Sequence, residues 1–326
     1  FFKQKTAYEI PLRLVGSEMC IRDRIDKGVM TLVDESRQRE LLHALSSEDL
    51  TLLKKCGGSV CNSVVAASSL GATAFFSGKV ADDADGKLYV SDLRKAGVDF
   101  HSAGQDPRTT GKCLVMVTKD AERTMNTFLG GSETLSAKEI NRKVLKDSEW
   151  FYVEGYLMTD EIRNKVIRET VEFAKEHGVK IAISLSDPFV VDMFGDAFRD
   201  VMGDGVDLIF GNKDEALAFT GTNDIDYALK KLKLTTKTFA ITDGANGAIT
   251  YDGEVTLRSD GIAAKAIDTN GAGDMFAGAF LYAITSGKGY GWAASLANYC
   301  ASRVIAKFGP RLAPEEFRKI KARFGI

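Results

Sequence analysis

The sequence predicts an α/β fold: a three-layer sandwich with a mostly parallel sheet between two layers of helices, and a small separate β-sheet. Three observations carry this reading. From about residue 136 onward, short apolar runs such as WFYVEG, KIAISL, VDLIF and TFAIT alternate with helical periods, and strand–helix alternation builds parallel sheets covered on both faces. One stretch breaks the alternation: GKCLVMVTKDAERTMNTFLG (111–130) has two β-rich runs around a polar KDAE, a hairpin pattern. The chain has 326 residues with 44% hydrophobic content, enough for one large α/β domain with an appendage.

The elements follow in order. Residues 1–24, FFKQKTAYEIPLRLVGSEMCIRDR, have no strand or helix period. They start on Phe1-Phe2 without an initiator Met and resemble translated sequencing-adaptor text. They are therefore expected to be a non-native segment, on a fragment or a mis-assembled frame, and to add nothing to the fold. They also lack the apolar stretch and cleavage site of a signal peptide. Residues 25–326 are expected to form one domain, with the segments near 25–35 and 98–130 set apart from the main alternation. GVMTLVD (28–34) alternates like a strand. A helix is predicted from Ser36 to Leu53, with Leu41, Leu42 and Leu45 on one face. SVCNSVVAASSLG reads as a small-residue helix opened by a Ser59 cap and stopped at Gly71. TAFFSGKV is a buried strand type, and Asp83 to Ala96 is helical, ending at Gly97.

After the hairpin, Ser136 and Glu139 make a capping box that opens a helix. WFYVEG is a strand. Asp160 to His177 is a predicted helix with Ile162, Val166, Thr170 and Ala174 in one row, closed by Gly178. KIAISL and VDLIF are strands, the second leading into a helix at Asn212. TFAIT ends in the turn DGANG, and GAITYDGEVTLRSDGIAAKAID supplies short strands. DTNGAGD then leads one helix, and Trp292 to Phe308 forms another.

Composition narrows the function. Net charge is −2, so no basic field argues for nucleic acid. No apolar stretch has the length of a membrane span. The five cysteines (Cys20, Cys56, Cys61, Cys113, Cys300) lack metal-ligand spacing and read as reduced, cytoplasmic thiols. The three histidines are far apart and sit in polar contexts, so surface positions are expected. No G-x-G-x-x-G follows a strand, which argues against a dinucleotide-dependent oxidoreductase.

Several segments have site-like chemistry at strand ends or helix starts, where open α/β sheets bind ligands. In DTNGAGD, glycines let backbone N–H groups approach an anion at a helix N-terminus. Phosphoryl transfer needs such donors above all, and Asp274 in the first helical turn can take a proton from an attacking hydroxyl. Spacing alone leaves a second reading equally open, a carboxylate that only caps the helix. In NKDEA, Asn212 and Glu215 have capping-box spacing, or they help hold a hydrated Mg²⁺ and its phosphates. In TDGANG, Thr242, Gly244 and Gly247 form a tight turn, suited either to a hairpin or to close approach of a nucleotide. In GGSVCN, Gly58 and Asn62 belong either to a plain loop-to-helix junction or to a polar contact with a substrate hydroxyl.

Each segment alone is weak, and their order together is specific. GGSVCN, GKVADDADG, ERTMNTFLG, NKDEA, TDGANG and DTNGAGD follow one another as in the ribokinase or pfkB family of ATP-dependent kinases. The chain resembles that family from about Gly28 to Phe308, and its adenosine-kinase-like branch in particular. The resemblance implies a ribokinase-like sandwich, with the segments near 25–35 and 98–130 as its small β-sheet lid, and transfer of the ATP γ-phosphoryl group to a primary hydroxyl of a small-molecule acceptor. Adenosine is the first candidate; ribose, fructose and 2-keto-3-deoxygluconate are alternatives. It implies Asp274 as general base, with Gly271, Ala272 and Gly273 as the anion hole. Asn212 and Glu215 are implied to tune Mg²⁺, Glu215 through water. Thr242, Gly244 and Gly247 resemble the nucleotide loop, Asn298 a lining residue of the adenine pocket, and Arg123 a lid arginine that reaches the phosphates. Gly58 and Asn62 match substrate-binding positions. ATP and Mg²⁺ are the implied cofactors, with a monovalent cation as a further candidate. Nothing in the sequence decides the oligomeric state.

Two departures stand out. Ala81 replaces the usual Gly in GKVADDADG. The family's first strand, with its Gly-Asn…Asp segment that grips the acceptor, has its place taken by the adaptor-like text; Gly16 and Asp23 have the wrong spacing. A missing central strand would expose apolar surface and unpaired backbone. The chain as written is therefore expected to fold poorly or act weakly, as a catalytically impaired nucleotide-binding fragment of an active parent.

Overall fold

Lys5–Ile10 runs as a strand, β1, within the text expected to add nothing. The computed structural model describes residues 5–10, 25, 27, 29–46, 53–102, 108–117 and 123–326, with the backbone alone at 5–10, 46, 53 and 123. After β1 come β2 (Met30–Leu32), α1 (Glu35–Ser46), β3 (Leu53–Gly57), α2 (Ser59–Leu70), β4 (Ala74–Ser77), α3 (Ala84–Lys95) and β5 (Val98–His101). The hairpin β6 (Thr110–Val117) and β7 (Arg123–Gly130) follows, then α4 (Arg142–Lys146) and β8 (Trp150–Glu154). The alternating half continues with α5 (Glu161–Glu176), β9 (Lys180–Ser184), α6 (Pro188–Met202), β10 (Val206–Asn212), α7 (Lys213–Thr220), α8 (Ile225–Leu232) and β11 (Thr236–Thr242). It closes with β12 (Ala248–Tyr251), β13 (Thr256–Ser259), α9 (Ala272–Thr285), α10 (Tyr290–Val304) and α11 (Pro314–Phe324).

The main sheet runs β13-β12-β11-β10-β9-β8. Its members β8 to β11 are parallel neighbours, and β12 and β13 extend it antiparallel. Side chains alternate between two cores. Phe151, Val153, Ile181, Ile183, Ile209, Phe239 and Ile241 join a cluster with residues of α5, α6, α7 and α8. Their neighbours Tyr152, Ala182, Leu208, Phe210 and Ala240 join another with α2, α9, α10 and α11. Burial on both faces explains why these strands read as continuous apolar runs. Along α5 the predicted row is offset. Ile162 is 72% exposed, and Ile167, Thr170, Val171 and Ala174 face the core. A strict fourfold row drifts by about 40° per step around a helix, so its first member turns away.

A second sheet has the order β2-β7-β6-β1-β3. The predicted hairpin is there, with Thr110 opposite Gly130 and Val117 opposite Arg123, and β2 lies parallel beside β7. The hairpin and β2 do not stand alone, because β1 pairs parallel with β6 and antiparallel with β3. This corrects the expected vacancy as far as the backbone goes: Lys5–Ile10 provides ladder partners for both neighbours. Gly16 and Asp23 lie outside the described residues. The helix predicted to Leu53 ends at Ser46, and Leu53 instead opens β3; the leucine period itself stops at Leu45. α2 starts at Ser59 as expected, but its cap is Gly58, with φ 108° and no side-chain bond. The box at Ser136 forms as predicted, on a single 3₁₀ turn (Ala137–Glu139) rather than on an α-helix.

Candidate active site

The segment DTNGAGD becomes a loop that is fastened before it reaches α9. Asp268 is 1% exposed. Its Oδ1 accepts the Asn270 N–H at 2.8 Å, and its Oδ2 accepts the Gly309 N–H at 3.0 Å. The first acid of the motif therefore clamps the loop to the backbone at Gly309. Gly271 caps α9 with φ +76°, and an added Cβ would lie 2.4 Å from the Pro310 Cβ. Backbone conformation and crowding both demand glycine there. Gly273 differs: a Cβ at that position would meet nothing within 4 Å.

Asp274 sits in the first turn of α9, and its Oδ2 accepts a hydrogen bond from Asn62 Nδ2 at 2.9 Å. Asn62 lies in the first turn of α2, so two helix starts meet at this carboxylate. Asp274, Gly271, Ala272 and Gly273 line a cavity of about 330 Å³ together with Asn212, Glu215, Thr242 and Gly244. The cavity lies where β9, β10 and β11 end at Ser184, Asn212 and Thr242, the carboxyl edge of the parallel strands. A larger cleft of about 900 Å³ along α3 touches none of these residues. Convergent polar groups, not volume, mark the site.

Asn212 and Glu215 make a full capping box. Glu215 N–H donates to Asn212 Oδ1 at 2.8 Å, Asn212 N–H donates to Glu215 Oε2 at 3.0 Å, and Asn212 Nδ2 donates to Glu215 Oε1 at 2.7 Å. The plain structural role is thus realised within the cavity wall. Gly244, at φ +53°, has open space where a Cβ would be, whereas a Cβ at Gly247 would lie 2.0 Å from the Ser259 carbonyl oxygen. Gly247 is thereby a packing glycine of the β12–β13 hairpin. Asn298, 7% exposed on α10, donates from Nδ2 to the carbonyls of Ser259 and Asp260 at 3.3 and 3.1 Å. Neither Gly247 nor Asn298 lines the cavity with Asp274. Gly58 is the α2 cap next to the Asn62 turn. Arg123 pairs through its backbone with Val117, while the role expected of its side chain lies outside the described residues.

The sequence reading missed three contributors. Tyr152 and Ser186 line the cavity, and Arg311 reaches Asn62 from the loop after α10, donating from Nε to Oδ1 at 2.9 Å. Burial pushes the Tyr152 phenol up and the negative charge of Asp274 adds to it, so it remains a neutral donor. Ser186 has φ 71°, unusual for a residue with a Cβ, and its Oγ accepts the Gly155 N–H at 2.8 Å. Its position just past the strand KIAIS was the available signal. Among the described residues no three His, Cys, Asp or Glu cluster as a metal cage, and no helix is long and apolar enough to cross a membrane.

The sequence pattern described as pfkB family carbohydrate kinase matches residues 29–316. The chain is similar to a structure described as a probable sugar kinase from Rhizobium etli CFN 42, with 31% identity and TM-score 0.87 over 98% of this chain and 97% of that one. It is likewise similar to the adenosine kinase from Sinorhizobium meliloti, with 32% identity and TM-score 0.86 over 97% and 96%. A curated relative, the 5-dehydro-2-deoxygluconokinase of Halalkalibacterium halodurans, is 28% identical over 288 residues, 84% of this chain and 87% of that protein.

Proposed function

Since the chain belongs to the pfkB family of carbohydrate kinases, a group of sugar and nucleoside phosphotransferases, we propose that it transfers the γ-phosphoryl group of ATP to a primary hydroxyl of adenosine, giving AMP, with Asp274 as general base. The observation that carries this reading is the meeting of Asp274 and the open backbone at Gly273 in one cavity with Thr242 and Gly244. The start of α9 offers N–H donors and a positive dipole end to the transferring phosphoryl group. Asp274, beside those donors, takes the hydroxyl proton as the oxygen attacks. Thr242 and Gly244 form the nucleotide side, where Gly244 leaves room for close approach. Asn298 is assigned to the outer wall of the base pocket and Gly58 to the acceptor side.

Mg²⁺ fits the donor set here. Glu215 is a carboxylate in the cavity wall whose two oxygens already accept bonds from Asn212, so it reaches a hydrated ion through water rather than by direct ligation. Mg²⁺, when bound, offsets phosphate charge and orients the transferring group. The hairpin β6–β7 contributes Met125 to the same cavity, which supports a lid that excludes water and favours transfer over hydrolysis. Arg123, at the start of β7, is the lid cation proposed to reach the phosphates. Formation of AMP would assign the protein to purine salvage, and the free cysteines Cys56, Cys61, Cys113 and Cys300 support a reducing, cytoplasmic setting.

The relatives named as sugar kinases support a second reading, a carbohydrate acceptor at the same base. Acceptor-dependent ADP release separates the two. The assay compares adenosine, other nucleosides, ribose, fructose, 2-keto-3-deoxygluconate and 5-dehydro-2-deoxygluconate, with and without K⁺. Preference for adenosine is expected. A carbohydrate preference moves the assignment to the second reading, and ATP binding without transfer to any acceptor points to an impaired nucleotide-binding fragment.

A further inference from the structure

Asn62 is 6% exposed and both ends of its amide are used. One end meets Asp274 Oδ2 and the other meets Arg311 Nε, each at 2.9 Å. An amide can turn over, exchanging donor for acceptor. Arginine cannot, because its five N–H groups only donate. The atom facing Arg311 must therefore be oxygen, and the atom facing Asp274 must be the NH₂ nitrogen. Arg311 decides the polarity of a contact it does not itself make.

Arg311 is built to hold that position. It is 8% exposed. Its Nη1 donates to Cys56 Sγ at 2.8 Å and to Asp92 Oδ2 at 3.2 Å, and its Nη2 donates to Cys61 Sγ at 3.1 Å. Asp92 Oδ2 also accepts the Cys56 N–H at 3.0 Å. The backbone before it is fixed as well, since Gly309 donates to Asp268 and Pro310 packs on Gly271. A guanidinium held on four sides has little freedom to follow Asn62 if the amide turns.

We propose that Arg311 is a positioning residue for phosphoryl transfer: it locks the Asn62 amide so that the NH₂ end faces Asp274 and keeps that carboxylate ionised and oriented as base. This rests on the reading of Asp274 as general base. A donor hydrogen bond stabilises a carboxylate, whereas a turned amide would set an oxygen against it. Losing Arg311 releases the amide and raises the proton affinity of Asp274.

The test uses Arg311→Met, which keeps an unbranched stem and removes the guanidinium donors. Expected is a kcat loss on the order of tenfold or more, below the cost of removing a donor to the transition state itself. KM for ATP should stay within about threefold, because the change falls on the chemical step, and the acid limb of kcat should move to higher pH. In an Asn62→Ala background, Arg311→Met should add less than about threefold, since both changes remove one relay. Arg311→Lys, which keeps the charge but lacks the fork, should recover little and carries the comparison if Arg311→Met melts below assay temperature. A readout free of turnover is the ¹³C carboxyl resonance of Asp274, assigned with Asp274→Asn, which should titrate at higher pH in both Arg311 variants. An unmoved resonance, or full additivity with Asn62→Ala, overturns the inference. A parent without acceptor-dependent ADP release overturns the kinase reading instead, and an Asp274→Asn variant with parental turnover overturns the base assignment on which this inference rests; either outcome is read separately from the resonance test of Arg311.

Discussion

The Asn62 amide donates to the Asp274 carboxylate across 2.9 Å, joining residues 212 positions apart in the chain. α2 and α9 bury small and aromatic faces against each other, Val60, Ala66, Phe276 and Phe280 among them, and that packing brings the two helix starts to one point. Asp274→Asn removes the proton acceptor with little change of shape. Turnover should fall by at least about a hundredfold, while ATP binding by calorimetry stays within about threefold. Near-parental turnover would remove Asp274 from the role of base.

Gly271→Ala and Gly273→Ala should behave oppositely. At Gly271 the added methyl meets Pro310 in a left-handed backbone, so unfolding by urea should show a loss of more than about 2 kcal/mol. At Gly273 nothing in the protein opposes the methyl, and stability should change by less than about 0.5 kcal/mol. The methyl would instead occupy space proposed for phosphate. KM for ATP should rise or kcat fall by about tenfold at an unchanged melting temperature. Equal melting temperatures for the two variants would contradict this assignment of roles.

Glu215→Gln keeps a hydrogen-bonding acceptor towards Asn212 but removes the charge. Its stability cost should stay under about 1 kcal/mol, while the Mg²⁺ concentration for half-maximal rate rises by about threefold or more. Glu215→Ala breaks the box and should lose about 1–2 kcal/mol as well. An unchanged Mg²⁺ dependence in both would leave Glu215 as a cap alone.

Asp83 carries a pH-dependent share of stability. Its Oδ1 accepts the Gly86 N–H at 2.7 Å and the Thr110 hydroxyl at 2.6 Å, and its Oδ2 accepts the Thr110 N–H at 2.8 Å, tying α3 to β6. Burial works to raise this carboxyl, but the Thr110 and Gly86 donors outweigh it and hold it below its usual value. A lowered value means that the ionised form stabilises the fold. That contribution is present above about pH 4 and is lost as pH falls through the depressed native value. Asp83→Asn should cost about 1–2 kcal/mol at pH 7, screened in part by solvent, and the gap from the parent should close below about pH 4. Urea midpoints across that range check it; a pH-independent gap would refute it.

Strand–helix alternation made the main sheet legible, because Phe151 to Ile241 are buried on both faces and so read as unbroken apolar runs. The hairpin was legible from KDAE between two β-rich runs. The N-terminal strand was not, since Lys5–Ile10 has no apolar alternation and earns its place by backbone pairing with β3 and β6. α6 carries a break at Phe194 (φ −123°) that blurs its period. In the site, the cluster around Asp274 was readable from glycine spacing and motif order. Arg311 was not, because nothing local in FGPRLAP says that a surface-type residue turns inward to an amide 249 positions away.

The double duty of Asn212 and Glu215 bears on how related sequences should be judged. A lineage that gave up catalysis would still need this pair to hold the start of α7, so selection for mere foldedness would preserve it. Gly271 would persist for the same reason, kept by Pro310. Gly273 has no such insurance, because nothing in the polypeptide lies within 4 Å of a methyl added there. In a decaying, non-catalytic copy of this protein, position 273 is where drift would first be visible.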